Sequence, residues 1–442
     1  MNSKIDFINE KTNSALLKMF VPIMLAMALT MLYCMVDSLW VGNLMGEAGM
    51  SALTSCTAIV LIFNAVSMGM GNGVSVMISH MVGARNRKEI PGVIGTILTS
   101  SVVISLIGCI FVEVCAMPLL NLLGTPEEII SDSATYLSIY IIGNVALFLY
   151  MQFTSIFRAF GDPLLQMKGM LMTVLFDAIA DPFMIKWRGL GGAAIATVLS
   201  EILCLIYALI YYKKKKYFVI DLKAMKWSYF TDMMKLCIPT TVQNIMPAVS
   251  SGVMISFITS FGIKAVAGFG VARNLEQIMF MPTMAMGMTI TSIVGQCYGA
   301  GRNDRAKAYL KSSMFIGGLL IALLSSLVII FSGDLTGMFG QGDDVKQIVS
   351  DFFKIISVGY VFYMLTSCCQ GYITGIGKPG KAMFLLIMYY IVIRIPAAII
   401  LKRFIGMNGI WAAFLISHIL ALLVAIVLLR ITTRLSCMRQ GD

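Results

Sequence analysis

Stretches of about 20 or more apolar residues recur along almost the whole chain, and each is long enough to cross a ~30 Å hydrocarbon layer as a helix. Twelve can be read, at about 15–40, 52–79, 91–117, 133–158, 164–187, 192–212, 233–260, 268–296, 306–333, 347–373, 380–403 and 408–430. A backbone in lipid must satisfy its own hydrogen bonds, and the alternating period of a membrane β-barrel is absent, so the spans are helices. Composition agrees. Hydrophobic residues make up 58% and charged residues 12%, about half the usual ~25%. Too few charges remain to cover a soluble surface, and the chain is too apolar for disorder. The first run is too long for a cleavable signal peptide. The expected fold is an all-α integral membrane protein of twelve transmembrane helices.

The loop charges orient it. With the N-terminus, the even-to-odd loops and the C-terminus on one side, that side holds 24 Lys and Arg and the other holds 6. Positive loops stay inside, which predicts a multi-pass protein of the cell membrane with both termini cytoplasmic. The net charge of +11 then needs no nucleic acid to explain it. The run Lys213-Lys214-Lys215-Lys216 reads as a topology signal beside anionic lipid.

The chain also repeats. Shifted by 216 residues it overlays itself: Met68-Gly69-Met70-Gly71 on Met284-Ala285-Met286-Gly287, Gly143 on Gly359, and Gly161-Asp162-Pro163 on Gly377-Lys378-Pro379. The offset then becomes 217, giving Gly189/Gly406, Gly192/Gly409 and Ser200/Ser417. Six spans per half is an even number, so both halves start on the same side. The expected lobes are 1–212 and 233–442, joined by a cytoplasmic linker at 213–232 and related by a pseudo-two-fold along the membrane normal. Parallel repeats of this kind build secondary transporters.

The matched positions are mostly small residues that serve packing. Chemistry belongs where the halves differ. A carboxylate at a helix centre in lipid costs about 2.5–3.5 kcal/mol, yet the first half carries Asp37, Asp177, Asp181 and Glu201 within its spans. The second half places neutral or basic residues opposite the three aspartates. Asp177 and Asp181 are four apart and share a helix face. Two close carboxylates in a low dielectric require either a shared proton or a bound cation, and Na⁺ suits such oxygens. Asp37 lies at a similar depth, so the three form the candidate cation-coupling group. Pro182 frees the Ala178 carbonyl as a ligand or a bending point. Arg273 and Glu276, three apart, read as a neutralising pair or as substrate contacts. Gln152, Thr197 and Met68 complete the candidate cavity set. Of the 35 methionines, Met68, Met70, Met279, Met281, Met284, Met286 and Met288 cluster on the second and eighth spans, where flexible thioethers suit a pocket of several shapes.

Enzyme chemistry is not encoded. There is no P-loop, nucleophile elbow or dinucleotide fingerprint. The ten cysteines lack metal spacing, and His80 and His418 are too few for a zinc or haem site. No cofactor is expected, and any pumping must draw on an ion gradient.

Several motifs resemble the multidrug and toxic compound extrusion (MATE) family. They are Val36-Asp37-Ser38 with Val41-Gly42, Arg158-Ala159-Phe160-Gly161-Asp162-Pro163, Asp181-Pro182 followed by Gly191-Gly192-Ala193-Ala194-Ile195-Ala196-Thr197, and Val294-Gly295-Gln296-Cys297-Tyr298-Gly299-Ala300-Gly301. The resemblance implies a V-shaped pair of six-helix lobes acting as a monomer. It implies export of amphipathic or cationic organic compounds, drugs or toxic metabolites, by antiport with H⁺ or Na⁺. Asp37 and Asp181 match two acids of the first-lobe-coupled, DNA-damage-inducible-like branch, where Asp177 replaces an asparagine. The second-lobe acids of another branch are missing, with Pro247 and Tyr363 near their places, so no second cation site is expected. The alternative is a flippase for a lipid-linked precursor, which would favour a cationic cavity. A membrane enzyme or receptor would need a catalytic constellation or a sensory domain that the sequence lacks, and a channel would be told apart by flux above alternating-access rates.

Overall fold

The computed structural model describes residues 4–122, 124–337 and 342–438, which form helices and no strands. The tail 439–442 of the expected second lobe lies outside them. The helices are α1 (Thr12–Gly83), α2 (Ile90–Leu122), α3 (Glu127–Ala159), α4 (Leu164–Arg188), α5 (Leu190–Lys215), α6 (Trp227–Thr259), α7 (Ile263–Gly299), α8 (Asn303–Gly337), α9 (Asp343–Gly375), α10 (Pro379–Ile387), α11 (Arg394–Ile405) and α12 (Met407–Met438). A π-helical segment, Met388–Ile393, joins α10 to α11.

By length and composition, ten of these rods can cross a membrane, with Pro379–Ile405 counted as one. The chain is a multi-pass membrane protein. Two features separate this number from the twelve stretches. The 72 residues of α1 would reach about 108 Å if straight. Gly46, with φ 66° and ψ −152°, breaks it into 12–45 and 47–83. α4 is long enough but carries Lys168, Asp177, Asp181, Lys186 and Arg188 in 25 residues, so it reads as less apolar.

The helices group into two compact units. The first holds residues 4–6 and Val21–Thr241; the second holds Phe7–Phe20 and residues 242–438. In the first unit one core gathers Phe148, Phe157, Phe160, Tyr211 and Phe218, and another gathers Val41, Cys56, Tyr136, Tyr140 and Leu190. In the second unit Phe269 stacks on Trp411, and Phe352 meets Trp411 and Phe414 edge to face. There too, Arg305 of α8 donates to the Phe7 carbonyl at 2.9 Å and so docks the N-terminal segment.

The glycine-rich run inside the second apolar stretch is a packing surface. A Cβ on Gly69 would stand 2.3 Å from Thr241 Cα, and one on Gly73 would stand 2.8 Å from Cys237 Cα. These two glycines, four apart, let α1 and α6 touch backbone to backbone, and Thr240 donates to the Gly69 carbonyl at 2.7 Å. In the second unit Gly371 and Gly375 of α9 do the same against the carbonyls of Gly287 and Thr291 on α7. The paired glycines 189/192 and 406/409 build two alike corners: Gly189 and Gly406 turn at φ 59° and 60°, and a Cβ on Gly192 or Gly409 would strike the carbonyl of Met184 or Leu401.

The linker is docked on the first unit. Tyr217 and, from the end of α5, Tyr211 donate to Asp162 Oδ2 at 3.2 and 2.8 Å, Phe218 is buried against Phe157 and Phe160, and the Asp221 amide reaches the Pro91 carbonyl. Asp162 also accepts from the amide of Leu164, the first residue of α4. This is the structural work of the Arg158–Pro163 motif, whose Arg158 is buried and donates to Asn72 and Ser155.

Candidate functional site

Three helices of the first unit bring the intramembrane acids together. Asp177 and Asp181 come from one face of α4 and are fully buried. Asp37 comes from α1, nine residues before the Gly46 break, with Oδ1 buried. Asp177 interacts electrostatically with Asp181, Asp37 and Glu201, and Asp181 with Asp37. The predicted trio is therefore one neighbourhood. Among the described residues no group outside the acids hydrogen-bonds either oxygen of Asp177 or Asp181, nor Asp37 Oδ1 and Glu201 Oε2, and Asp177 and Asp181 meet only each other. Buried carboxylates without a cationic partner are costly in a low dielectric.

Glu201 comes from α5 and is 7% exposed. Its carboxylate lies over Gly143 of α3, where a side chain would collide with it. Thr197, one turn earlier on α5, accepts from the Tyr33 hydroxyl at 3.2 Å. Tyr33 in turn feels the charges of Asp177, Asp37 and Glu201. Asp37, Asp177, Asp181, Glu201 and Thr197 thus belong to one polar centre. Gln152 is buried on α3 with both amide atoms unpartnered among the described residues, and Met68 is half-buried on α1. Neither is among the acids' interaction partners.

The sequence reading missed the aromatic and amide lining. Tyr33 sits four residues before Asp37, and Tyr140 four before Asn144; Tyr140 bonds Asn64. Polar residues recurring at helical spacing inside apolar runs were the available signal. The donors suit a hard cation chemically. Among the described residues, however, no three His, Cys, Asp or Glu side chains converge on one metal position.

The second unit holds a different polar centre. Tyr360 donates to Glu276 Oε1 at 2.7 Å. Arg394 donates to Tyr389 at 2.6 Å and to Ser417 at 3.0 Å, and its guanidinium lies over the rings of Tyr389, Tyr390 and Phe414. Tyr389 meets His418 Nδ1 at 2.7 Å. The expected Arg273–Glu276 ion pair does not form. Glu276 is buried toward α9 and engages Tyr360, whereas Arg273 is half-buried one step round the helix. Lys354 and Glu113 are exposed, the former beside Asp351. His418 is buried among the rings of Tyr360, Tyr363 and Tyr389.

The MatE family model matches the chain twice, over residues 22–183 and 239–400. A probable multidrug resistance protein of Bacillus subtilis, YpnP, is 28% identical over 92% of both chains. A probable multidrug resistance protein of Thermotoga maritima, NorM, is 24% identical over 90% of this chain and 87% of that one. The crystal structure of the Vibrio cholerae MATE transporter VcmN in its bent form superposes with a TM-score of 0.91 at 20% identity, covering 96% of this chain and 97% of that chain. Two matches of one family model, multidrug resistance relatives along almost all of the chain and a shared all-helical fold lead to one conclusion: the chain belongs to the MATE family of efflux transporters.

Proposed function

We propose that this chain is a secondary active antiporter that exports amphipathic or cationic organic compounds in exchange for H⁺ or Na⁺. One observation carries the reading. Asp37, Asp177 and Asp181 lie within electrostatic reach of one another, inside membrane helices and without a cationic partner among the described residues. Such a group binds a proton or a monovalent cation and releases it when its surroundings change. Thr197, Tyr33 and Glu201 border the ion's site. Gln152, Met68, Glu276 and Arg273 are the further cavity candidates. Their number and spread suit a transporter that holds varied molecules loosely.

The same reading sets the architecture. Counting α1 as two spans at Gly46 and adding α4 to the ten apolar rods gives twelve. They divide into two parallel lobes near the 213–232 linker, with both termini cytoplasmic and the chain acting as a monomer. The two family-model matches, displaced by 217 residues, and the alike glycine corners support the repeat. The test is efflux of a fluorescent organic cation from proteoliposomes under separately imposed H⁺ and Na⁺ gradients. Efflux driven by one gradient identifies the ion. Efflux driven by neither, in active protein, removes the antiport reading.

A further inference from the structure

In the second unit, α6 and α7 leave a cavity of about 350 Å³ between them. That is the size of a small-molecule site. Its apolar wall is Ile255 and Ile258 from α6 with Val266 and Phe269 from α7. Its polar side is Arg273, Asn274 and Gln277. Gly270, Arg273, Asn274 and Gln277 fall at steps of three and one, so they occupy one stripe of α7. No carboxylate lines the cavity. The nearest acid on α7, Glu276, is held by the Tyr360 hydroxyl and lies in the field of Arg394 as well as Arg273. Among the described residues Arg273 makes no hydrogen bond and no ion pair, so its five donors are available.

A guanidinium, two side-chain amides and four apolar walls select for one kind of molecule. An organic cation would meet the Arg273 charge. A neutral hydrocarbon would leave the guanidinium and both amides unused. We propose that this cavity binds an amphipathic anion, with a carboxylate or phosphate head on Arg273 and a hydrocarbon body against Ile255, Ile258, Val266 and Phe269. Arg273 supplies the planar fork that pairs such heads, and Asn274 and Gln277 add amide donors. The ligand class is opposite in charge to that of the acidic centre in the first unit. The same chemistry arrives from two sources, an exported acid or an anionic lipid of the bilayer.

The glycine in the stripe gives a clean test. A Cβ on Gly270 would meet nothing within 4 Å, so Gly270→Met fills the cavity without moving the backbone. Arg273→Gln removes the charge at similar length. The protein is placed in nanodiscs of phosphatidylcholine and titrated with dansyl-labelled undecanoic acid, with no ion gradient, so the outcome is separate from that of the antiport reading. Folding of each variant is checked by its melting temperature. Saturable binding to the native chain is expected, weakened about tenfold or more by each variant. Laurate and dodecyl phosphate should displace the probe, whereas dodecanol and dodecyltrimethylammonium should not. Phosphatidylglycerol in the disc decides the source. Loss of probe binding there makes the ligand a bilayer lipid, and retained binding with export from proteoliposomes makes it cargo. Both support the cavity's assignment. Equal binding by the native chain and two folded variants, or displacement by dodecyltrimethylammonium as strong as by laurate, overturns it.

Discussion

The carboxylate of Glu201 rests against the bare α-carbon of Gly143: a Cβ built there would stand 2.7 Å from Glu201 Oε2 and 2.7 Å from Val198 Cγ2. The second unit repeats the arrangement with His418, whose ring carbon Cδ2 would stand 2.8 Å from a Cβ on Gly359. Glycine at 143 is thus a space requirement. Gly143→Ala should lower stability by about 1–3 kcal/mol, the usual cost of overpacking. Truncating Glu201 as well should recover only part, because Val198 Cα lies 3.1 Å from the same point. Thermal melts of the single and double variants in detergent check this.

Asp181→Asn should abolish gradient-driven export while the protein still inserts and folds. Asn keeps the size and removes the charge, so the ion loses its preference for one conformation, and a ligand that binds two states equally shifts nothing. Asp37→Asn should behave alike, whereas Arg273→Gln, outside the acid group, should keep its coupling to the gradient. Substrate affinity should survive better than transport in both Asp variants. Membrane expression, binding and efflux are measured for each. Efflux at the native rate from normally expressed Asp181→Asn would eliminate the coupling centre.

The electrical side of the exchange is also predictable. Moving one charge through about 100 mV is worth about 2.3 kcal/mol, enough for a roughly 50-fold imbalance of a neutral substrate at ~1.4 kcal/mol per tenfold ratio. For a monocation exchanged one for one, that contribution cancels. Export of a monocation should therefore respond to the ion's chemical gradient and not to valinomycin-clamped potential. Strong voltage dependence at fixed gradients would require another stoichiometry.

Two helical glycines should respond in opposite directions to the same change. A Cβ at Gly192 would lie 1.8 Å from the Met184 carbonyl oxygen, and one at Gly252 would meet nothing within 4 Å. Gly192→Ala should cost about 3 kcal/mol or more through overpacking. Gly252→Ala should gain about 0.5–1 kcal/mol through a stiffer helix. Melting temperatures that move in the same direction would contradict the tight α4–α5 corner.

Topology is the fifth test. A cysteine introduced at Lys223, in a cysteine-free background, should be labelled only after cells are opened, because the linker is expected in the cytoplasm. Lys223 is exposed, so docking of the linker does not hide it. Labelling in sealed cells would invert the orientation.

The helices and the acids were legible because both follow local rules. Apolar length announces a span, and a spacing of four puts Asp177 and Asp181 on one face. The partnership of Glu276 was not legible. On α7 it has Arg273 within reach, but burial turned it to Tyr360, which is 84 residues distant, and no spacing rule encodes that choice. The aromatic lining of the acid centre was hidden for a similar reason: Tyr33 and Tyr140 look like ordinary apolar filler until a neighbouring helix gives each hydroxyl a partner. The docking of the linker was masked by its lysines, which drew the reading to charge while Tyr217 and Phe218 did the binding.

The change in repeat offset from 216 to 217 falls between Pro379 and Gly406, and the π-helical segment Met388–Ile393 lies in that interval. A π turn takes in one more residue than an α turn over the same length. The added residue has been swallowed by the helix, and everything after it is rotated out of phase by about 100° relative to an unbroken α-helix. Arg394 is the first residue past the segment. The twist points its guanidinium at Ser417 and the three rings, where an unbroken α-helix would present Ile393. Deleting a single residue such as Ile391 would let the helix close as an unbroken α-helix that still carries the arginine at that aim, so the π turn is what admits one more residue into this helix without unplugging the second centre.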